Sequence, residues 1–515
     1  MPKQKSPLVE IRWPIGGLDR STGFDQQPPY TTPHALNVRP FDTVNLSAAT
    51  LHGYRHRGGA RPGLSKAFAQ RIGTGPVQML GVCSVFTTPG ALQNILLAVS
   101  GGTLYQSTSG TPTTVSGTLN ATARQLRGCQ VGQLYYIADY RTANVRSPNN
   151  APDGTIASGN RLSATSISDW TTLGIDQNLD VVWIAGSTFT EQNIFPITAV
   201  ASGYITFGGT MTNQTGGVNW QIGRIAKVWD PFNPTAALTG LMGTLPVPNA
   251  NYVTGTVSST NGVVTLSGGS WSGVPAPTAA NSLTLTIPNT SGIGTQSYLV
   301  ASLNSNTQLT LIDQTNDADC TGVTYTISWT THFVGIPPLN CPLCCNYRGR
   351  LTLSDGWHWF QSRLLAPWDW DFGYDPQDPS RAMAGSSSDT GECPDFTVAL
   401  MPHGQNSLIF GCDKSLWILN GDPAYGGTIS NLSHNIGVVG PASWCNLPDG
   451  GKLILSRDGV YQIPAQATPG SVTPVSRPKL PAELLNVDWS HNTVSMEYDV
   501  EARGVHLAIT PQVTP

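Results

Sequence analysis

Two short runs hold the residues of this chain best suited to chemistry. The first, Cys341-Pro-Leu-Cys344-Cys345, contains a C-x-x-C. A zinc site needs a second Cys or His pair at matching spacing, and the nearest candidates, His358 and Cys393, are single and irregularly placed. A thioredoxin-like role needs a βαβ setting, which the surrounding sequence lacks. These thiols therefore read as core or interface residues. The second run, Trp368-Asp-Trp-Asp-Phe-Gly-Tyr-Asp-Pro-Gln-Asp378, offers Asp369, Asp371, Asp375 and Asp378. Paired carboxylates can hydrolyse glycosides and clustered ones can hold calcium. On a strand, however, alternating Asp and aromatic residues only put rings on one face and acids on the other. In Pro-rich loops, Asp also caps turns. Asp313, Asp317 and Asp319 lack the order of an EF-hand loop. The basic run Tyr54-Arg-His-Arg57 with Arg61 is too short for a nucleic-acid stripe. Its arginines suit a subunit contact or a touch on passing phosphates. No phosphate-binding loop, zinc-protease helix or nucleophile elbow occurs. The expectation is no catalytic residue, no cofactor, no metal and no enzyme activity.

The elements around these runs are strands. Across 515 residues, short apolar runs alternate with Gly, Pro, Asn, Asp and Ser clusters, and helical periodicity is nearly absent. Only 11% of residues are charged, against roughly 25% in an ordinary soluble protein. A surface kept polar by hydroxyls and amides suits coverage by neighbours, because burying neutral groups costs less than burying ions. With a net charge of −4, tight nucleic-acid binding by counterion release is not expected. No apolar stretch is long enough for a membrane helix. Met1-Pro-Lys-Gln-Lys5 is followed by no apolar region, so no signal peptide is expected. Nine irregularly spaced cysteines fit reduced thiols and assembly in a reducing cytoplasm.

A hairpin of apolar strand, tight turn and aromatic-bearing strand recurs. Copies begin at Ile95, Gln133, Arg350, Ser407 and Lys452, with a weaker one over Val494–Ile509. Outside the gap between 140 and 350 they are about 40–57 residues apart, the length of a four-stranded propeller blade. The predicted fold is all-β: a β-propeller of about six blades interrupted by one or two small β-sandwich or barrel modules. Inside the gap, strand patterns from Leu179 to Gly223 and from Ser282 to Ser328 repeat in order. The predicted divisions are an extended N-terminal arm (1–44), a first propeller segment (45–160), inserted β modules (161–335, about 165–230 and 250–332) and a second propeller segment (336–515).

Three sets of residues carry a resemblance in their order along the chain. The first comprises Gly16, Gly17, Asn37 and Arg39, then Arg61 and Gly63. The second is Asn346-Tyr-Arg348-Gly-Arg350, and the third is Trp417 with Gly421-Asp422-Pro and Gly426-Gly427. Together they resemble tail-nozzle or tail-hub (tail tubular) proteins of tailed bacteriophages, especially short-tailed ones. The resemblance implies a virion structural protein, assembled in the host cytoplasm. It would form a ring of copies of itself, usually a hexamer, in the phage tail below the portal and its adaptor protein. Genomic DNA would be retained and ejected through the ring with transient, non-specific contact, and tail fibres or other tail proteins would dock on it. The motif positions would be structural. Two other readings stand beside this one: another virion component (head-decoration, baseplate or fibre-attachment protein), or a propeller enzyme acting on bacterial glycans.

Overall fold

The computed structural model describes residues 70–511 apart from short segments, the longest being 241–249 and 477–486, together with four two-residue strands further upstream. Those four pair as Gly17–Leu18 with Thr31–Thr32, in parallel, and Val38–Arg39 with Gly59–Ala60, antiparallel. The rest of the predicted arm and the basic run at 54–57 lie outside the described residues.

Beyond Gln70 the described residues are all β, with a few turns of 3-10 helix. Five four-stranded antiparallel sheets follow one another. Sheet 1 is Val77–Thr88, Ala91–Ser100, Thr103–Ser107 and Thr113–Thr118. Sheet 2 is Arg127–Val131, Leu134–Ala138, Lys227–Trp229 and Thr239–Gly240. Sheet 3 is Leu343–Tyr347, Arg350–Ser354, Trp359–Gln361 and Met383–Ala384. Sheet 4 is Thr397–His403, Ser407–Cys412, Leu416–Asn420 and Thr428–Ser433. Sheet 5 is Trp444–Asn446, Lys452–Ser456, Gly459–Ile463 and Thr473–Pro474. A final two-stranded hairpin joins Asn492–Asp499 to Gly504–Pro511. The recurring sequence hairpin is the middle strand pair of sheets 1, 3, 4 and 5. In sheet 2 its partner strand arrives only after an insertion.

A lone four-stranded sheet cannot bury both faces, so each sheet packs on the next. Leu97, Val99 and Leu104 of sheet 1 share a core with Tyr135, Ile137 and Trp229 of sheet 2. Tyr136 and Ala138 of sheet 2 meet Cys344, Leu351 and Leu353 of sheet 3. Leu343, Tyr347 and Trp359 meet Leu408, Phe410 and Leu419 of sheet 4. Met401, Ile409 and Ile418 meet Ile454 and Ile463 of sheet 5. Cys445 and Leu455 of sheet 5 meet Val494 and Met496 of the hairpin. The first strands adjoin along much of this series: 77–88 with 127–131, 127–131 with 343–347, 343–347 with 397–403, and 444–446 with 492–499.

The insertion in sheet 2 is a closed six-stranded barrel. Its strands run Gln214–Gly223, Gly154–Ala157, Arg161–Ala164, Tyr204–Phe207, Gln192–Ala201 and Val181–Ala185, the last pairing back onto the first. Val145–Arg146 adds a short seventh strand. The predicted boundary at 160 therefore falls inside the barrel, and 227–240 belongs to sheet 2. The short, turn-rich strands at 154–164 resemble blade strands in pattern, and only their pairing partners separate the two.

A second unit, between sheets 2 and 3, is an open eight-stranded half-barrel over residues 250–331. Its strand order repeats that of the barrel. The Thr256–Thr260/Val263–Ser267 hairpin corresponds to 154–164, and the meander 281–311 corresponds to 181–207. The single strand 214–223 is replaced by two strands, Cys320–Val323 and Thr326–Thr331. Local bonds repeat as well. The backbone N–H of buried Trp170 donates to Ser202 O (3.0 Å), as that of buried Trp271 does to Asn306 O (2.7 Å). Phe207 N donates to Asn160 O (3.0 Å) as Leu311 N does to Gly262 O (2.8 Å). In the barrel one continuous strand carries both pairings, whereas here two consecutive strands share them.

Candidate functional site

Most of the charge buried in this molecule sits at two nodes. The first begins in the turn of Asn346-Tyr-Arg-Gly-Arg350. Arg348 (φ 55°) and Gly349 (φ 75°) both occupy the left-handed region, as a two-residue hairpin turn requires. Asn346 Oδ1 steadies the turn by accepting from Gly349 N–H (3.1 Å). The next residue, Arg350, starts a strand whose five residues are all buried. Its Nη1 donates to Ser362 O (2.9 Å), Ser380 O (3.2 Å) and Arg381 O (2.6 Å), and its Nη2 to Pro379 O (3.0 Å). Nη2 also pairs with Asp422 Oδ2 (3.3 Å) of the loop after sheet 4's third strand. Burial pulls the guanidinium below the usual arginine range, and the Asp422 carboxylate opposes that pull.

The Gly421-Asp422 turn is built around this pair. Asp422 Oδ1 accepts from Ala424 N–H (3.0 Å) and caps a short 3-10 turn. Gly421 needs φ 82°. At Gly427 a Cβ would lie 2.8 Å from the Asp422 carbonyl carbon, so only glycine lets the loop fold back. Tyr347 Oη donates between Asn406 O and Gly421 O, both 2.8 Å away. Arg348, Gly421, Asp422 and Gly427, picked out from two distant stretches of sequence, thus meet at one joint between sheets 3 and 4. Trp417 stands apart, half-buried, with Nε1 donating to Ser415 Oγ (2.9 Å). Gly17 and Arg39 fall in the two-residue strands, while Gly16, Asn37, Arg61 and Gly63 lie outside the described residues.

The second node escaped sequence reasoning. It lies where the barrel leaves sheet 2. Buried Asp180 accepts from Arg224 Nε (2.7 Å) and pairs with Arg141, and Arg224 also approaches Asp139 (3.7 Å). Asn340 Oδ1 accepts from the backbone N–H of both Arg224 (2.9 Å) and Arg141 (3.1 Å). Burial raises the Asp139 carboxyl above its ordinary range against the pull of Arg224, and burial lowers Lys227 against the pull of Asp139. The charges come from three separated stretches, 139–141, 180 and 224–227, and the amide of Asn340 from a fourth, so no local spacing announces them.

Between sheets 2 and 5 lies a third group. Lys452 Nζ sits 4.6 Å from the Trp444 ring centroid and donates to Asn446, and the Arg127 guanidinium stands 6.0 Å from the same ring. Burial brings the Lys452 ammonium down to about 8.

Several of the residues singled out for chemistry hold turns, ion pairs or core positions among the described residues. Asp378 Oδ1 accepts from Ser380 N–H (2.9 Å) and its Oδ2 pairs with Arg363 (2.5 Å). Asp369 is buried, accepts from Asp371 N–H (3.0 Å) and lies 3.9 Å from Arg363. Asp375, Asp313 and Asp317 lie outside the described residues, and Asp319 accepts from Asn261 N–H (2.7 Å). Cys341, Cys344 and Cys345 are buried in sheet 3 and the approach to it, while Cys393 and Cys412 place their sulfurs 3.4 Å apart. Among the described residues no cluster of three His, Cys, Asp or Glu could hold a metal ion, and no helix is long and apolar enough to cross a membrane. A cleft of about 360 Å³ beside the Arg350 joint is lined by Phe372, Arg381, Asp389, Thr390 and Tyr425.

No known family and no curated protein matches the chain. Among solved structures it is similar to Hsv2 of Kluyveromyces lactis at 6% identity and a TM-score of 0.22, over 81% of this chain and 94% of that one. It is also similar to a protein of unknown function from Bacteroides thetaiotaomicron at 10% identity and a TM-score of 0.18, over 63% and 72%.

Proposed function

We propose that the five sheets and the hairpin are blades of one β-propeller, and that the chain is a structural subunit of a phage tail. In this reading it assembles with copies of itself into a nozzle or hub ring. Genomic DNA passes through the ring, and adaptor and fibre proteins dock on it. The observation that carries the reading is the joint at Arg350. Four of the residues that resemble the nozzle and hub motifs, Arg348, Gly421, Asp422 and Gly427, lie there around buried Arg350. The barrel and half-barrel supply added surfaces of the kind an assembling subunit needs, and they leave the stacked sheets intact. The charge-poor composition points the same way.

Two of the four aspartates behind the glycan-enzyme reading, Asp369 and Asp378, hold turns and lie against Arg363, which weighs against that reading. An acid–base pair needs carboxyls free to exchange protons with substrate. The test is light scattering and particle imaging of the purified chain, followed by locating it in an intact virion. A ring at the tail's distal end supports the reading. A persistent monomer without affinity for tail proteins, or a position in the head, overturns it.

A further inference from the structure

The connection from sheet 3 to sheet 4 brings two thiols into contact. Cys393 lies between the 3-10 turn Gly385–Ser387 and the first strand of sheet 4, and Cys412 ends that sheet's second strand. Their sulfurs are 3.4 Å apart, and both residues are buried in the core shared by the two sheets. Among the described residues no third His, Cys, Asp or Glu joins them to make a metal set. The connection is tied to both sheets around this contact. Trp359 Nε1 of sheet 3 donates to Gly391 O (3.0 Å), and Thr390 Oγ1 donates to Gly427 O (2.9 Å). Asp395 Oδ2 accepts from Lys414 N–H (3.0 Å) and Ser415 Oγ (2.8 Å). Cys393 itself belongs to no strand. Its backbone is therefore free to yield the roughly 1.4 Å between this contact and a bond of about 2.05 Å. Cys129 and Cys344 also share a hydrogen bond, but strand ladders fix both of them. The two sulfurs at the connection differ in acidity as well. The hydrogen bond from Cys412 draws the Cys393 thiol below its ordinary range, and Asp395 N–H and the Thr397 hydroxyl add to that against burial. The same bond and burial push the Cys412 thiol up.

We propose that Cys393 and Cys412 form a modification site, at which a small disulfide such as glutathione disulfide oxidises the two thiols to one protein disulfide. Cys393 gives its proton to solvent, and its thiolate attacks one sulfur of glutathione disulfide. That S–S bond breaks, and one glutathione leaves as thiolate. Cys412 then loses its proton and attacks the Cys393 sulfur, which expels the second glutathione and closes the protein disulfide. The two released thiolates take up the two protons, so two protein thiols are oxidised and one glutathione disulfide is reduced. The new bond ties the connection to sheet 4 and encloses that sheet's first strand, Thr397–His403. Closing a loop in this way restricts the unfolded chain and strengthens the contact between sheets 3 and 4. The inference holds whether or not the chain serves in a phage tail.

The test equilibrates the reduced full chain with excess glutathione disulfide, with and without sub-denaturing urea to open buried sites. Free thiols are then alkylated and the peptides mapped by mass spectrometry. The expected product has lost two of its nine thiols, retains no glutathione and carries a cross-linked peptide pair containing Cys393 and Cys412. A bond between Cys129 and Cys344 instead, a glutathione adduct on Cys393 that never closes, or nine thiols retained even in urea overturns the proposal. Pulse proteolysis gives a second reading. Oxidation should raise the urea midpoint of sheet 4 peptides by about 1 M in the wild type and leave it unchanged in Cys393→Ser. Equal midpoints for the oxidised and reduced wild type would overturn the strengthening of the contact.

Discussion

Arg350 is the residue whose loss should weaken the stacked sheets most per atom removed. It is fully buried, its guanidinium donates to four backbone carbonyls, and its ion partner Asp422 is 8% exposed. In Arg350→Ala a carboxylate stays buried without its cation and the carbonyls of 362 and 379–381 lose a donor. Breaking a buried pair from one side costs roughly 3–5 kcal/mol. Asp422→Asn keeps an acceptor for Ala424 N–H, so it should cost only about 1–3 kcal/mol. The double variant should cost less than the sum, with a coupling of roughly 0.5–3 kcal/mol, because each single change strands the other's partner. Several packed units share this chain, so a global melting curve would mix them. The suitable assay is pulse proteolysis across a urea series, scoring peptides of sheets 3 and 4 by mass spectrometry. With a urea dependence of about 2 kcal/mol/M, Arg350→Ala should lower their midpoint by roughly 1.5–2.5 M. A shift below roughly 0.3 M, or strictly additive effects in the double variant, would refute the joint.

Three further outcomes are expected. Gly427→Ala forces a Cβ to 2.8 Å from Asp422 backbone, and should destabilise the same peptides by roughly 1–3 kcal/mol while leaving barrel peptides untouched. Trp271→Ala empties the half-barrel core and removes the donor to Tyr325 Oη (3.0 Å), so peptides from 250–331 should lose about 3–5 kcal/mol selectively. Burial lowers the folded Lys452 ammonium from 10.5 to about 8, so between those values the unfolded chain binds more protons and stability rises with pH. The stability of the wild type relative to Lys452→Met should therefore climb from pH 8 to pH 10.5, and a flat difference between their urea midpoints would refute it.

Strand content and the recurring hairpin were legible because both are local. Period-2 alternation and positive-φ turns such as Gly101-Gly102 need only a few consecutive residues. The repeat between the two inserted units was legible for the same reason, since strand order survives in the sequence. The joint at Arg350 was half legible: its glycines and Asp422 stand out as turn residues, but nothing in the spacing says that residues 72 apart in the chain meet. What the tertiary structure decided was pairing. Whether 154–164 belongs to a stacked sheet or to a barrel depends on a partner at 204–223. Whether four distant charges around Asp180 cancel depends on where the barrel sits against sheet 2. Asp369 and Asp378 stand out in sequence only as carboxylates in an aromatic run, and their place against Arg363, with Asp378 holding the turn at Ser380, appears only in the fold. Sequence by itself determines local conformation, because steric and hydrogen-bonding preferences act between near neighbours. Burial decides the rest, because a charge or a strand edge is favourable or costly only according to what closes over it.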